Sequence, residues 1–225
     1  MPETPREPSA VRLAPKAVVG RVSLYLRQLE VFLRQGVATV SSHQLGTPLG
    51  ITDAQVRKDL AFFGQFGCPG IGYNVAPLIQ SLRAVLGIDR EWPSALIGLG
   101  HLGQALVRYR GFALRGFQIV ALFDSDTSKV GLDFDGLTVL PMDALSATVA
   151  ERGIALALLA VPAEAAQEVA GRAVASGVTG LLNFAPATLS VPPHISVVSV
   201  DLSVQLEHLA YKVQFARRGG VAAVG

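Results

Sequence analysis

The sequence has a single cysteine, Cys68, among 225 residues, which excludes an intrachain disulfide. It also lacks long apolar segments, because no run of about 18 residues, enough to span a bilayer as a helix, is free of charges and turn signals. The N-terminus is polar and proline-rich and has no apolar core of a signal peptide. These absences predict a cytoplasmic protein with no membrane partner, and we predict no metal partner either.

Hydrophobic residues, in contrast, make up 50% of the chain, which is enough to bury a substantial core. The length suits two domains. Residues 1–85 carry nine Lys and Arg against five Asp and Glu, whereas residues 86–225 carry ten against twelve. This basic N-terminal part indicates a slight bias towards nucleic acid.

Residues 94–126 carry the most informative pattern. A short apolar run leads into Gly98, Gly100 and Gly103, and a second apolar run stops at Asp124. Strand, glycine turn, helix, strand and acid in this order are typical of a dinucleotide-binding unit. Gly98 would allow the tight turn, Gly100 the approach of a pyrophosphate, and Gly103 close packing of the helix on the strand. The free N–H groups at the helix N-terminus would bind the phosphates, and we include Leu99, His101 and Leu102 in this site.

The acid at the end of the second strand indicates the cofactor. Asp124 can accept hydrogen bonds from a ribose 2′-hydroxyl and would repel a 2′-phosphate, which favours NADH and NAD⁺ over their phosphorylated forms. Asp126 is the competing candidate for this role. The alternative is that one of the two acids only caps the following turn at Thr127 and Ser128.

The pattern before residue 88 predicts a winged helix-turn-helix. Apolar spacing and turn residues place helices at 15–35, 42–45, 53–63 and 77–86, a short extended segment at 37–40 and a glycine-rich hairpin at 64–74. The third helix, capped by Thr52, would enter the major groove. Val56, Leu60 and Phe63 form its apolar stripe. We predict DNA contacts from Ser41, Ser42, Thr52, Gln55, Arg57, Lys58 and the hairpin residues Gly70 and Tyr73. For Arg57 and Lys58 the alternative is an ordinary solvated helix face.

Residues 88–93 form a polar connector, after which strands and helices alternate. The pattern predicts a Rossmann-type parallel sheet covered on both faces, because apolar strands alternate with helices. The strands are predicted at 137–140, 155–161, 180–184 and 195–200, and the helices at 142–152 and 163–176. Ligands of such sheets lie at the carboxyl ends of the strands. The candidates at that edge, besides the glycine turn, are Val161, Pro162, Asn183, Phe184, Ala185 and Pro186.

The last predicted helix, residues 202–218, is apolar on more than one face. It therefore packs back on its own chain or inserts into a partner subunit. The predicted organisation is a disordered tail (1–14), a winged-helix DNA-binding domain (15–88), a Rossmann NAD(H)-binding domain (89–201), an exchanged C-terminal helix (202–218) and a second disordered tail (219–225).

Over about residues 15–217 the chain resembles the Rex family of redox-sensing transcriptional repressors. The resemblance is carried by Val56-Arg-Lys-Asp-Leu60, Gly70-Ile-Gly-Tyr-Asn-Val75, Ile97-Gly-Leu-Gly-His-Leu-Gly103, Phe123-Asp-Ser-Asp126 and Leu182-Asn-Phe-Ala-Pro186. It implies a homodimer with exchanged C-terminal helices that binds double-stranded operator DNA when NADH is low and releases it when NADH rises. Two departures stand out: the wing reads Cys68-Pro69 where many relatives have lysines, and Asp201-Leu202 lacks an aromatic residue beside the acid.

Two enzyme classes compete with a repressor. An NAD-dependent oxidoreductase needs a proton relay beside the nicotinamide, but none of His43, His101, His194 and His208 is placed for one. A CoA-binding ligase subunit needs a phosphohistidine segment, which the sequence does not contain. We therefore predict that the chain is not an enzyme.

For the response to NADH we predict a charge pair between two subunits. Asp201, at the start of the exchanged helix, would pair with Arg27 of the first helix in one state only. The alternative is that Arg27 and Asp201 are ordinary surface charges.

Overall fold

The computed structural model describes residues 14–68 and 70–217. Within them the chain divides into two compact units, with the boundary between Asp89 and Arg90. Apart from Ala14, the two predicted tails lie outside the described residues, as do Pro69 of the wing and Arg218.

The described part of the first unit has four α-helices, a 3₁₀ turn (Thr47–Leu49) and a small sheet. Its elements are α1 (Lys16–Arg34), β1 (Thr39–Val40), α2 (Ser42–Gly46), α3 (Asp53–Phe63), β2 (Gly67–Cys68), β3 (Gly72–Asn74) and α4 (Val75–Val85). The three strands are antiparallel in the order β1-β3-β2, so β2 and β3 form the predicted hairpin. The winged helix-turn-helix is thus present, although α4 begins two residues earlier than predicted.

Polar side chains cap the N-termini of α2 and α3. The Ser41 hydroxyl accepts from the Gln44 amide while the Gln44 side chain accepts from the Ser41 amide, which is a complete capping box for α2. At α3 the Thr52 hydroxyl accepts from the Gln55 amide, which caps the helix without the reciprocal bond. The stripe on α3 packs inward as predicted: Val56 and Leu60 are buried, and Phe63 packs against the same core.

The second unit is built on a seven-stranded sheet. Its elements are β4 (Trp92–Ile97), α5 (His101–Val107), β5 (Phe117–Asp124), β6 (Asp133–Phe134), β7 (Leu137–Pro141), α6 (Leu145–Arg152), β8 (Leu156–Leu159), α7 (Ala163–Ala175), β9 (Gly180–Asn183), β10 (Ser196–Ser199) and α8 (Leu202–Arg217). The strand order is β10-β9-β8-β4-β5-β7-β6, and all neighbours except β6 and β7 are parallel. Without β6 this is the doubly wound Rossmann order, whose direction reverses between β4 and β8.

The sequence prediction missed strand β6. It pairs antiparallel with β7 through a two-residue turn of Asp135 (φ 54°) and Gly136 (φ 81°). An Asp-Gly pair with two positive φ angles is the usual connection of a tight hairpin, so the signal was present. The predicted helix at 142–152 begins instead with a 3₁₀ turn before α6.

Helix α8 begins at the predicted residue, is described up to Arg217 and has no buried residue. Its apolar side chains are exposed: Leu202, Val204, Leu206, Leu209, Tyr211, Val213 and Phe215. The possibility that it packs back on its own chain is therefore wrong for this structure. Insertion into a partner subunit stays a prediction.

Candidate nucleotide and DNA sites

The glycine turn follows β4 at the reversal point of the sheet. Gly98 has a φ of 96°, and a Cβ placed on it would lie 2.6 Å from the Ala160 carbonyl oxygen, so the turn lies directly against the end of β8. A Cβ on Gly103 would collide with the Gly98 carbonyl, so α5 packs on the turn at a distance that only glycine permits.

The position of Gly100 differs from that of the other two glycines. A Cβ placed there would meet no atom within 4 Å. Gly100 is also the N-cap of α5 and provides no side chain to cover the helix N-terminus. The exposed side chains of His101 and Leu102 follow it. Open space in front of free backbone N–H groups is what a pyrophosphate requires, so the residues fit a dinucleotide.

Asp124 has partners that the sequence prediction did not anticipate. It ends β5, is only 7% exposed, and both of its carboxylate oxygens already accept hydrogen bonds. Oδ2 accepts from the Leu99 amide at 2.7 Å and from Lys129 Nζ at 3.1 Å, while Oδ1 accepts from the Asp126 amide at 2.9 Å. Burial by itself raises the pKa of Asp124, but these donors outweigh it and hold the pKa below its ordinary value.

The side chains of Asp126 and Lys129 are more exposed to solvent than that of Asp124. The Asp126 side chain is 45% exposed, and its Oδ1 accepts from the amide and hydroxyl of Ser128, so it does cap the following turn. Lys129 Nζ lies 3.5 Å from Asp126 Oδ2. Lys129 was missed by the sequence prediction, and its position five residues after Asp124 was the available signal.

The loops after β8 and β9 complete this edge of the sheet. Val161 and Pro162 follow β8, with Pro162 as the N-cap of α7. Asn183 ends β9 and is fully buried, and its side-chain amide bonds to the backbone of Ala185 and to the Ala187 carbonyl. Asn183 therefore fixes the shape of its own loop. In this loop Ala185 is buried and Pro186 is exposed. Phe184 packs against the hydrophobic core of the sheet.

In the first unit, a depression of about 600 Å³ separates α3 from the hairpin. Five of the predicted DNA-contacting residues line it: Ser41, Ser42, Arg57, Gly70 and Tyr73. Thr52 and Lys58 are exposed on α3 outside this lining. The structure thus brings the start of α2, the middle of α3 and the wing together.

Two predicted contacts on α3 have protein partners. Arg57 Nη1 donates to Asp53 Oδ2 at 2.6 Å and to the Ser42 hydroxyl at 3.0 Å, yet the side chain is 56% exposed. The guanidinium is therefore held at the surface with donors left for a phosphate or base. Gln55 is partly buried and its Nε2 donates to Asp59 at 2.7 Å, so its amide faces inward.

The predicted switch residues have separate local roles. Arg27 is exposed on α1. Asp201 Oδ1 accepts from the Ser203 hydroxyl and from the amides of Ser203 and Val204, so the carboxylate caps α8. The bond from the Ser203 hydroxyl is the main reason that the pKa of Asp201 is lowered, and the amide bonds add to it. The described residues contain no group of three or more His, Cys, Asp or Glu side chains arranged to hold a metal. Within the same residues, no helix has the length and apolar character needed to span a bilayer.

Two family models match the chain in separate parts. One, described as the N-terminus of a putative DNA-binding protein, matches residues 14–61, and the other, a CoA binding domain, matches residues 89–187. The redox-sensing transcriptional repressor Rex of Carboxydothermus hydrogenoformans is 47% identical over 89% of this chain and 96% of its own length. This chain belongs to the Rex family. Rex of Streptomyces griseus is 42% identical over 94% of this chain and 83% of its own length.

Solved Rex structures confirm the fold class. RSP, a Rex-family repressor, in complex with β-NAD⁺ and operator DNA has a TM-score of 0.86 at 33% identity and covers 94% of this chain and 100% of its own. The complex of RSP with β-NADH has a TM-score of 0.82 at 32% identity and covers 92% of this chain and 97% of its own. The relatives are named as transcriptional repressors, which agrees with the prediction that the chain is not an enzyme.

Proposed function

We propose that this chain is a repressor that senses the balance of NADH and NAD⁺, binds operator DNA as a homodimer and releases it when NADH binds. The observation that carries the proposal is full-length similarity to Rex, including a relative solved with both NAD⁺ and operator DNA. The open space at Gly100 and the exposed Arg57 supply the two sites that such a protein needs. The NAD-dependent oxidoreductase and CoA-binding ligase alternatives lack comparable support.

The cofactor site is proposed at the carboxyl edge of the Rossmann sheet. The backbone N–H groups from Gly100 to Gly103 would bind the pyrophosphate, since those of Gly98 and Leu99 donate to Phe123 and Asp124. The loops at Val161–Pro162 and 183–186 would face the nicotinamide. Bound NADH supplies no chemistry in this role; it acts by favouring one arrangement of the dimer.

The DNA site is proposed on α3 and the wing. Arg57 and Lys58 would contact phosphate or base edges, since guanidinium and ammonium groups bind phosphate oxygens and the guanine edge in the major groove. Ser41, Ser42, Thr52, Gly70 and Tyr73 would contact the flanking backbone. Gln55 is better placed to position α3 than to contact a base, because its amide faces Asp59.

The link between the two sites is proposed to pass through exchanged α8 helices. Asp201 would then lie beside the partner's first helix and pair with Arg27 in one state. The proposed domain limits are residues 15–88, 89–201 and 202–218, and a protein acting on operator DNA is proposed to be cytoplasmic.

Titration of a labelled operator complex with NADH, and separately with NAD⁺, tests this function. We expect NADH to release the DNA at lower concentration than NAD⁺, and Asp201→Ala to shrink the change in DNA affinity on NADH binding while NADH still binds. Equal effects of the two cofactors would contradict redox sensing. Unchanged coupling in Asp201→Ala would contradict the charge pair alone.

A further inference from the structure

At the carboxyl end of β5, Asp124 does not present a free acceptor to a ligand. Its two oxygens accept from the Leu99 amide, the Asp126 amide and Lys129 Nζ. The first of these bonds joins the glycine turn after β4 to the turn after β5. Asp124 is thus an internal tie between two loops, and its charge is matched within the protein.

The neighbouring Asp126 has the opposite character. Its side chain is 45% exposed, and Oδ1 is used by Ser128, which leaves Oδ2 facing Lys129 and solvent. A carboxylate oxygen has several lone pairs, so Oδ2 can accept from a ribose hydroxyl while it stays near the ammonium.

Lys129 balances these two acids. Its Nζ lies 3.1 Å from Asp124 Oδ2 and 3.5 Å from Asp126 Oδ2, and the bond to Asp124 is the main reason that the pKa of Lys129 is raised. The edge therefore has two carboxylates and one ammonium, a net charge of −1. A 2′-phosphate needs a cation that is free to bind it, and this ammonium already has two carboxylate partners.

We propose that Asp126 and Lys129, and not Asp124, decide between a ribose 2′-hydroxyl and a 2′-phosphate. Asp126 accepts from the hydroxyl and also occupies part of the Lys129 ammonium, while Asp124 positions the glycine turn and keeps Lys129 at this edge. The inference rests on the proposed function, since it assumes that NADH binds at this edge.

The test is the ratio of NADPH to NADH affinity, measured by the fluorescence of the reduced nicotinamide that the two cofactors share. Asp126→Ser removes the exposed carboxylate and frees one of the three N–H donors of Lys129, which stays paired with Asp124. A charge-assisted hydrogen bond to the phosphate should then raise the ratio about tenfold or more. In the double variant Asp126→Ser/Lys129→Met this gain should disappear. Asp133→Ser, which removes an exposed acid on β6, is the matched control and should leave the ratio unchanged.

Asp124→Asn separates positioning from contact when it is made in the Lys129→Met background, where no ammonium can be freed for a phosphate. There it should weaken NADH and NADPH to the same extent, so the ratio stays that of Lys129→Met. The proposal is overturned if Asp126→Ser leaves the ratio unchanged, if the gain persists in the double variant, or if Asp124→Asn shifts the ratio in the Lys129→Met background. A wild-type protein that binds neither cofactor would instead contradict the proposed function.

Discussion

Replacing Asp59 with alanine should destabilise the first unit strongly. Asp59 is 2% exposed and accepts four hydrogen bonds: from Arg21 Nε at 2.6 Å and Nη2 at 2.8 Å, from the Tyr25 hydroxyl at 2.8 Å and from Gln55 Nε2 at 2.7 Å. The three bonds from Arg21 and Tyr25 hold α3 against α1, whereas the bond from Gln55 lies within α3. Asp59→Ala leaves the fully buried Tyr25 hydroxyl without its acceptor, which alone costs about 1–3 kcal/mol.

The loss of the ion pair adds to this cost. Breaking a buried pair by removing one partner costs about 3–5 kcal/mol, and we expect about 3 because the Arg21 side chain, 28% exposed, can be hydrated. Tyr25→Phe removes one donor and leaves Asp59 with Arg21 and Gln55, so about 1 kcal/mol is expected. Asp53→Ala, which removes an exposed acid from the same helix, is the matched control and should cost much less.

Urea unfolding followed by circular dichroism measures these differences. The single tryptophan, Trp92, lies in β4, so its fluorescence reports the second unit and should shift less.

Burial raises the pKa of Asp59, but the bonds from Arg21, Tyr25 and Gln55 outweigh it and lower the pKa below 3.8. The stabilisation is therefore present above that pH and lost as the pH falls further, so wild type and Asp59→Ala should converge in acid. A constant gap, or equal stability at neutral pH, would refute the argument.

Two further predictions concern the sites themselves. Gly100→Asp should abolish release of DNA by NADH, because a carboxylate would fill the open space where a pyrophosphate approaches. DNA binding without cofactor should persist. If the variant still releases DNA at wild-type NADH concentrations, the cofactor site lies elsewhere. Arg57→Ala should weaken operator binding by about 1–3 kcal/mol and reduce its salt dependence if the contact is to phosphate, with NADH affinity of the free protein unchanged as the control. Unchanged operator affinity would exclude Arg57 from the DNA interface.

Most helices and strands of both units, although not β6, could be predicted because they follow from residue spacing. The apolar stripe and Thr52 placed α3 at its observed bounds, and the three glycines could be given distinct roles before any coordinate was known. Side-chain partners were harder to predict. The spacing of Gln55 and Asp59, four residues apart on α3, already permitted their bond, but the contacts of Asp59 with Arg21 and Tyr25 of α1 could not be read from spacing.

Asp124 shows the same limit for the cofactor site. Its position at the end of a strand could be predicted from the sequence. The approach of the Leu99 amide could not, because it depends on the register of β4 against β5. Spacing therefore identified the edge of the sheet correctly and could not decide which of its acids faces the solvent.

The exposed apolar surface of α8 has a genetic consequence. If α8 is exchanged between subunits as proposed, separating them returns that surface to water at about 25 cal/mol per Å². Subunits would then exchange slowly after assembly. A Gly100→Asp chain made beside the wild-type chain would be trapped in mixed dimers, and such an allele should repress dominantly.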